Sequence, residues 1–248
     1  ALLVSVGGGT SFVAENSLPG DILYGIKTNI NEEVRAALSF STEAKANWEK
    51  RRAERRLEEA EQLVVDGRLD AKAKAKVEAG LNAHLEKISK MEAVLESENK
   101  LEAAVDLNSD LEISLKNHGQ LLSSARTEEN SEEVDGLLES VNAGVNATAN
   151  SRVQLQEILV SGVTGVEVKS AAEGKLKAAE NKITEVKKFV SGNAEAEAKV
   201  SVAESLVAEG KLKLEANAYG EAFVLFQKAH MTAQEAKTFM VPHVLEVK

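Results

Sequence analysis

Residues 101–125 read LEAAVDLNSDLEISLKNHGQLLSSA. Leu101, Ala104, Asn108, Leu111, Leu115, His118, Leu122 and Ala125 recur at alternating steps of three and four. That spacing lines side chains along one stripe of an α-helix. Just upstream, Val77, Leu81, His84, Ile88, Met91 and Leu95 repeat the alternation. Seams of this kind belong to helices packed lengthwise, as in bundles and coiled coils. The two seams fall out of register across Ser97-Glu98-Asn99, which places a turn there. The class that follows is all-α: an elongated bundle of antiparallel helices or helical hairpins, with short extended tails at both ends.

Working outward, Ser41 is a side-chain cap for a helix running to about Val65. Ala44, Trp48, Ala53, Leu57, Ala60 and Val64 share one face of it, and Asp66-Gly67 closes it. Before it, Ser17-Leu18-Pro19-Gly20-Asp21 is a turn leading into a helix from about Asp21 to Leu38, loosened near Gly25. Thr127 to Glu133 is polar and acidic and is the best candidate for a domain boundary. Beyond it, Val134, Leu138, Val141, Val145, Leu155 and Leu159 keep a helical period, weakened in the middle by Gly144, Asn146 and Asn150. Residues 162–168 read as a loop with a short strand. Three more helices follow: one carrying Ala172 to Val190, one from about Ala194 to Ala216, and one from about Tyr219 to Met240. The expected division is a tail over 1–16, a helical domain over 17–126, a linker over 127–133 and a second helical domain over 134–248. The hexapeptide Ala-Glu-Gly-Lys-Leu-Lys stands at 172–177 and again at 208–213. In a chain this rich in Ala, Glu and Lys, composition alone can produce such a match.

Bulk composition narrows the roles. Only 2 of the 248 residues are proline and 4% are aromatic, which suits long helices packed through small side chains. The net charge of -10 repels phosphate backbones, so nucleic-acid binding would need a strong basic patch. Lys45, Lys50, Arg51, Arg52, Arg55 and Arg56 form the one candidate. They are interleaved with Glu43, Glu49, Glu54, Glu58 and Glu59, with Arg55 and Glu59 at helical pairing distance. The reading is therefore a solvated, mixed-charge helix face, and no nucleic acid is expected as partner. With 0 cysteines, disulfides, thiolate metal sites and cysteine nucleophiles are excluded.

No catalytic, cofactor or metal constellation emerges. His84, His118, His230 and His243 make no ligand spacing with one another, and His84 and His118 fall on the apolar seams. They read as hydrogen-bonded residues that fix helix register. Gly7-Gly8-Gly9-Thr10 lacks the lysine of a phosphate loop. Tyr219, Phe223 and Phe226 form an aromatic cluster at helical spacing. It reads first as core, with a partner groove as the alternative.

The amino terminus is apolar. Ala1, Leu2, Leu3, Val4 and Val6 precede the triple glycine and read as the exit end of a signal peptide or membrane anchor. Downstream, Ser17-Leu18-Pro19-Gly20-Asp21-Ile22-Leu23-Tyr24-Gly25-Ile26-Lys27 resembles a bacterial domain family of unknown function marked by Leu-Pro-Gly-Asp-x-Leu-Tyr-x-x-Lys. Ala53-Glu54-Arg55-Arg56-Leu57-Glu58-Glu59-Ala60 is similar to that family's second segment. The resemblance covers roughly residues 1–100 and implies an extracytoplasmic, membrane-proximal position. In physical terms, Pro19 fixes the turn, Asp21 caps exposed amides, and Leu23, Tyr24 and Ile26 pin the helix against the bundle.

The expected role is a non-enzymatic structural or interaction protein of the bacterial cell envelope. Its partners would be other proteins or copies of itself, with membrane attachment through a segment preceding Ala1. One alternative is a self-assembling surface fibre, in which residues 1–6 insert against strand-like segments 163–168 and 244–247 of a neighbour. Another is an extracytoplasmic binding protein for a metal ion or small ligand.

Overall fold

The computed structural model describes residues 13–162 and 166–238. Among them every regular element is helical and none is a strand. A short strap comes first: α1 (Tyr24–Ile26), one π-helical turn (Lys27–Asn31) and α2 (Glu32–Ala37). Longer helices follow as α3 (Thr42–Val65), α4 (Ala71–Ser97), α5 (Leu101–Ser124), α6 (Ser131–Gly162), α7 (Val166–Lys187), α8 (Ala194–Glu215) and α9 (Tyr219–Thr238).

The ends of these helices follow local chemistry. The Ser41 hydroxyl accepts the Ala44 N–H at 3.1 Å, and Asn193 accepts the Ala196 N–H at 3.0 Å. Each thereby satisfies one of the amides that a helix start leaves unpaired. Gly67 and Asn99 adopt φ of 63° and 58°, which ends α3 and α4 with left-handed residues. Helix α6 runs unbroken through Gly144, Asn146 and Asn150, the stretch expected to be weak. Gly144 and Thr148 are buried there, and the Thr148 hydroxyl donates back to the Gly144 carbonyl at 2.7 Å. Packing thus outweighs propensity in that segment.

The chain forms two compact units, linked along α5 and α6. Among the described residues the first takes 13–95 and 118–143, and the second takes 96–117, 144–162 and 166–238. The acidic stretch lies within the first unit. Its residues 127–130 make the connection, and 131–133 begin α6.

In the first unit, Ala53, Leu57, Ala60 and Val64 of α3 are buried, as are Val77, Leu81 and Ile88 of α4. Leu122, Val134, Leu137 and Val141 complete the core. Gly80 on α4 leaves room for the Arg56 side chain; an added Cβ would stand 2.7 Å from Arg56 Cδ.

The second unit centres on α9. Its Ala229, Ala233 and Ala236 join Ala179, Ile183 and Val186 of α7 and Val200, Ala203 and Val207 of α8 in one apolar cluster. Small side chains bring these helices close together. Arg152 reaches Glu112 at 3.0 Å within the same unit.

One expectation needs correcting. Val166–Val168 belong to helix α7 and not to a strand, because the apolar step from Val168 to Ala172 continues a helical seam. Residues 163–165 and 244–247 lie outside the described residues, as do His243 and Ala1, Leu2, Leu3, Val4 and Val6 of the amino-terminal tail.

Candidate functional site

The densest chemistry lies in the first unit, where the strap crosses α3. Leu18, Pro19, Gly20 and Asp21 form a tight turn in which the Asp21 N–H donates to the Leu18 carbonyl at 2.9 Å. Gly20 at the third position has φ of 107°, so proline at the second and glycine at the third serve a type II turn. The Asp21 carboxylate accepts the Leu18 N–H at 2.8 Å and holds Arg68 at 2.5 Å. These bonds keep its carboxyl below the usual aspartate range. Asp21 therefore caps the turn, as expected for this residue.

The π-turn that follows sets which side chains face inward. The Glu32 N–H bonds to the Lys27 carbonyl, five residues back. In an α-helix, residues five apart would point about 140° away from each other, whereas the wider turn stacks them. Both Lys27 and Glu32 are buried. They face a row of charged side chains on α3.

Lys27 Nζ lies 2.6 Å from Glu59 and donates to the Ser17 carbonyl at 3.0 Å. The Tyr24 hydroxyl donates to Glu59 at 2.7 Å and accepts from Arg56 at 3.0 Å. Arg56 also holds Glu32 at 2.5 Å and Glu59 at 3.0 Å. Arg52 bonds Glu32 at 3.2 Å, Glu33 at 2.6 Å and Glu49 at 3.0 Å. Arg55 bonds Glu15 at 2.8 Å and Glu32 at 3.3 Å. Glu32, the hub of three arginines, is 1% exposed.

Burial and the Glu59 carboxylate push the Tyr24 phenol far above its ordinary range, so it stays a hydrogen-bond donor. Burial raises the Glu49 carboxyl, but hydrogen bonding from His84 and the charges of Arg52, His84 and Lys87 outweigh that and hold it below normal. The four buried cations Lys27, Arg52, Arg55 and Arg56 are thus each matched by carboxylates.

This cluster corrects two sequence expectations. Arg52, Arg55 and Arg56 are buried rather than on a solvated face, while Lys45 and Arg51 are exposed. Glu59 pairs with Lys27 and Arg56, and Arg55 turns to the strap instead. The cause is long-range: the strap brings Glu15, Glu32 and Glu33 onto α3. A signal was nonetheless available. Glu49, Arg52, Arg56 and Glu59 fall at steps of three and four on α3 and run alongside the apolar seam Ala53, Leu57, Ala60, so their edge of the helix was bound to be covered. Tyr24 does pin the strap, but through its hydroxyl, and Leu23 and Ile26 are half-buried beside it.

Two of the histidines, His84 and His118, behave as register pins. His84 Nδ1 meets Glu49 at 2.6 Å and His118 Nδ1 meets Glu61 at 2.6 Å, tying α4 and α5 to α3. His230 lies in the second unit, where burial, with Lys175 nearby, holds its basicity down. Phe223 and Phe226 are buried among the core side chains, and Tyr219 is half-buried and donates to Asn217 at 2.6 Å. Among the described residues, no group of three or more His, Asp or Glu is placed to hold a metal ion. No described helix is long and apolar enough to cross a membrane.

A family model described as Domain of unknown function (DUF5667) matches residues 16–148. No curated protein and no solved structure matches the chain.

Proposed function

The chain belongs to that family of domains of unknown function, and from this premise we propose that it is a non-enzymatic structural or interaction module of the bacterial cell envelope, held outside the cytoplasm. The strap would be the point at which a chain coming from a membrane turns into the folded domain.

One observation carries this reading. The charged residues of the Leu-Pro-Gly-Asp-x-Leu-Tyr-x-x-Lys stretch and of the arginine-rich helix are occupied with one another. Tyr24, Arg56 and Glu59 close a triangle of contacts between 2.7 and 3.0 Å, and Lys27 joins it at Glu59 at 2.6 Å. Groups neutralised in this way fasten the strap to α3 and are not free to bind substrate phosphate or carboxylate. A segment held at several points in this way suits a chain that continues from an adjoining anchor. Partners would then be recognised by outer helix faces, as proteins or further copies of the chain.

The test is cell fractionation of the full-length protein, combined with protease treatment of intact spheroplasts. Cleavage of the domain from outside, with intact cytosolic controls, is the expected result. Recovery of the protein solely in the cytosol, protected from external protease, would refute the proposal.

A further inference from the structure

A cleft of about 420 Å³ opens in the first unit between the strap turn and the turn that joins α3 to α4. Pro19 and Gly20 line it from the strap, Gly67 and Arg68 from the connecting turn, and Lys72 and Lys76 from α4. None of the buried ion-pair residues of the strap cluster takes part in the lining.

The charges of this cleft are placed differently from those of the cluster. Lys72 and Lys76 stand one helical turn apart, so their side chains share a face of α4. Both are exposed, and among the described residues neither meets a carboxylate at ion-pair distance. Lys74, between them in sequence, does reach one, Glu78 at 3.6 Å. Arg68 is held at the cleft by Asp21 at 2.5 Å, a bond that uses one of the five N–H donors of a guanidinium. Asp70, the carboxylate of the lining, is occupied in accepting the Ala73 N–H at 2.7 Å. That bond closes the start of α4 with its own side chain, so the cleft's attraction for anions comes from its three cations. Gly20 and Gly67 have φ of 107° and 63°, and a Cβ at either would meet nothing within 4 Å. Backbone without side chains thus leaves the space between the cations open.

We propose that this cleft binds a phosphate group, with Lys72, Lys76 and Arg68 as its hydrogen-bond donors. Charge-assisted bonds from ammonium and guanidinium groups are the strong ones for phosphate oxygens. On a chain of net charge -10, an anion is repelled by most of the surface and drawn to a concave site where cations outnumber carboxylates. The same chemistry is offered by free inorganic phosphate and by the head group of an anionic lipid. The proposal concerns the purified chain and does not depend on its cellular compartment.

Two titrations of the full chain separate the sources. With inorganic phosphate at constant ionic strength, saturable amide shifts in NMR spectra are expected at Gly20, Gly67 and Lys72. The pair Lys72→Gln with Lys76→Gln should abolish them, while Lys90→Gln, an exposed lysine on the same helix, should keep them. In the second arm, the chain is sedimented with vesicles of phosphatidylglycerol and, as control, of phosphatidylcholine. Binding to the anionic vesicles alone is expected of a head-group site, falling on the order of fivefold for each lysine removed. A response in the first arm only assigns the site to free phosphate, and a response to anionic vesicles assigns it to head groups. Silence in both arms overturns the proposal. So does a double variant that behaves as wild type, or phosphate shifts that fall outside the cleft.

Discussion

Glu32 illustrates how much of this molecule rests on single charged side chains. Its carboxylate meets Arg52, Arg55 and Arg56, and its backbone carbonyl accepts the Trp48 indole N–H at 3.2 Å. A buried ion pair is weak evidence of net stabilisation, yet removing one member strands the others without compensation. Glu32→Gln should therefore destabilise the first unit by about 3–5 kcal/mol, measured by urea unfolding. A change below about 1 kcal/mol, typical of exposed pairs, would mean that the cluster is solvated in solution. The residue types of this cluster could be read in the sequence, but their pairing could not. Their spacing beside the apolar seam marks the edge of a covered face, but it does not say which acidic segment covers it. What decides is contact across 19 to 40 residues of chain, from Arg52 with Glu33 to Arg55 with Glu15, which no local period encodes.

At the scale of elements the situation reverses, because a helical seam is a local property. The alternation in α4 and α5 puts Val77, Leu81, Ile88, Leu111, Leu115 and Leu122 in the core, as expected. The turn at Ser97-Glu98-Asn99 falls where the seams lose register, with Asn99 left-handed. The repeated hexapeptide shows the limit of such reading. Ala172 is buried and Gly174 exposed in the first copy, whereas Ala208 is exposed and Gly210 buried in the second. The copies turn different faces to the core, so their match is one of composition. The two glycines should then respond oppositely to the same change. A Cβ at Gly210 would stand 2.4 Å from Phe226 Cε1, while nothing lies within 4 Å of one at Gly174. Gly210→Ala forces the ring out of a packed core and should cost about 1–3 kcal/mol. Gly174→Ala gains helix propensity and should stabilise by up to about 1 kcal/mol. Thermal melts of both variants decide this, and shifts of the same sign would contradict the packing of α8 against α9.

For the molecule as a whole, individual carboxyls carry proton linkage of opposite sign, Glu15 and Glu49 in the first unit against Asp106 in the second. In the first, Glu15 and Glu49 are held below their ordinary value of 4.5. Burial raises both, but it is outweighed by Arg55 and Asn31 at Glu15, and by His84 and Arg52 at Glu49. The unfolded chain takes up protons first as pH falls, so their contribution is present above 4.5 and is lost on acidification through the folded values. In the second unit, burial lifts Asp106 from 3.8 to about 6 despite Lys175 at 2.7 Å, with Asp110 and Glu102 adding to the rise. Here the folded state keeps its proton longer than the unfolded chain. The contribution is complete below 3.8 and disappears as pH climbs through about 6. His230, held below 6.5, works against Asp106 within the same unit, so the net slope of wild type does not isolate either group. Paired variants do. Across a pH series of urea unfolding, the stability of wild type relative to Asp106→Asn should fall as pH rises from 3.8 to about 6. Relative to Glu49→Gln, it should instead rise as pH rises toward 4.5. The two difference curves should slope in opposite directions, since one carboxyl is stabilised in its charged form by neighbouring cations, while in the half-buried Asp106 desolvation outweighs its single lysine and holds the proton up to about 6. Parallel curves would show that the contrast between the two sites does not survive in solution.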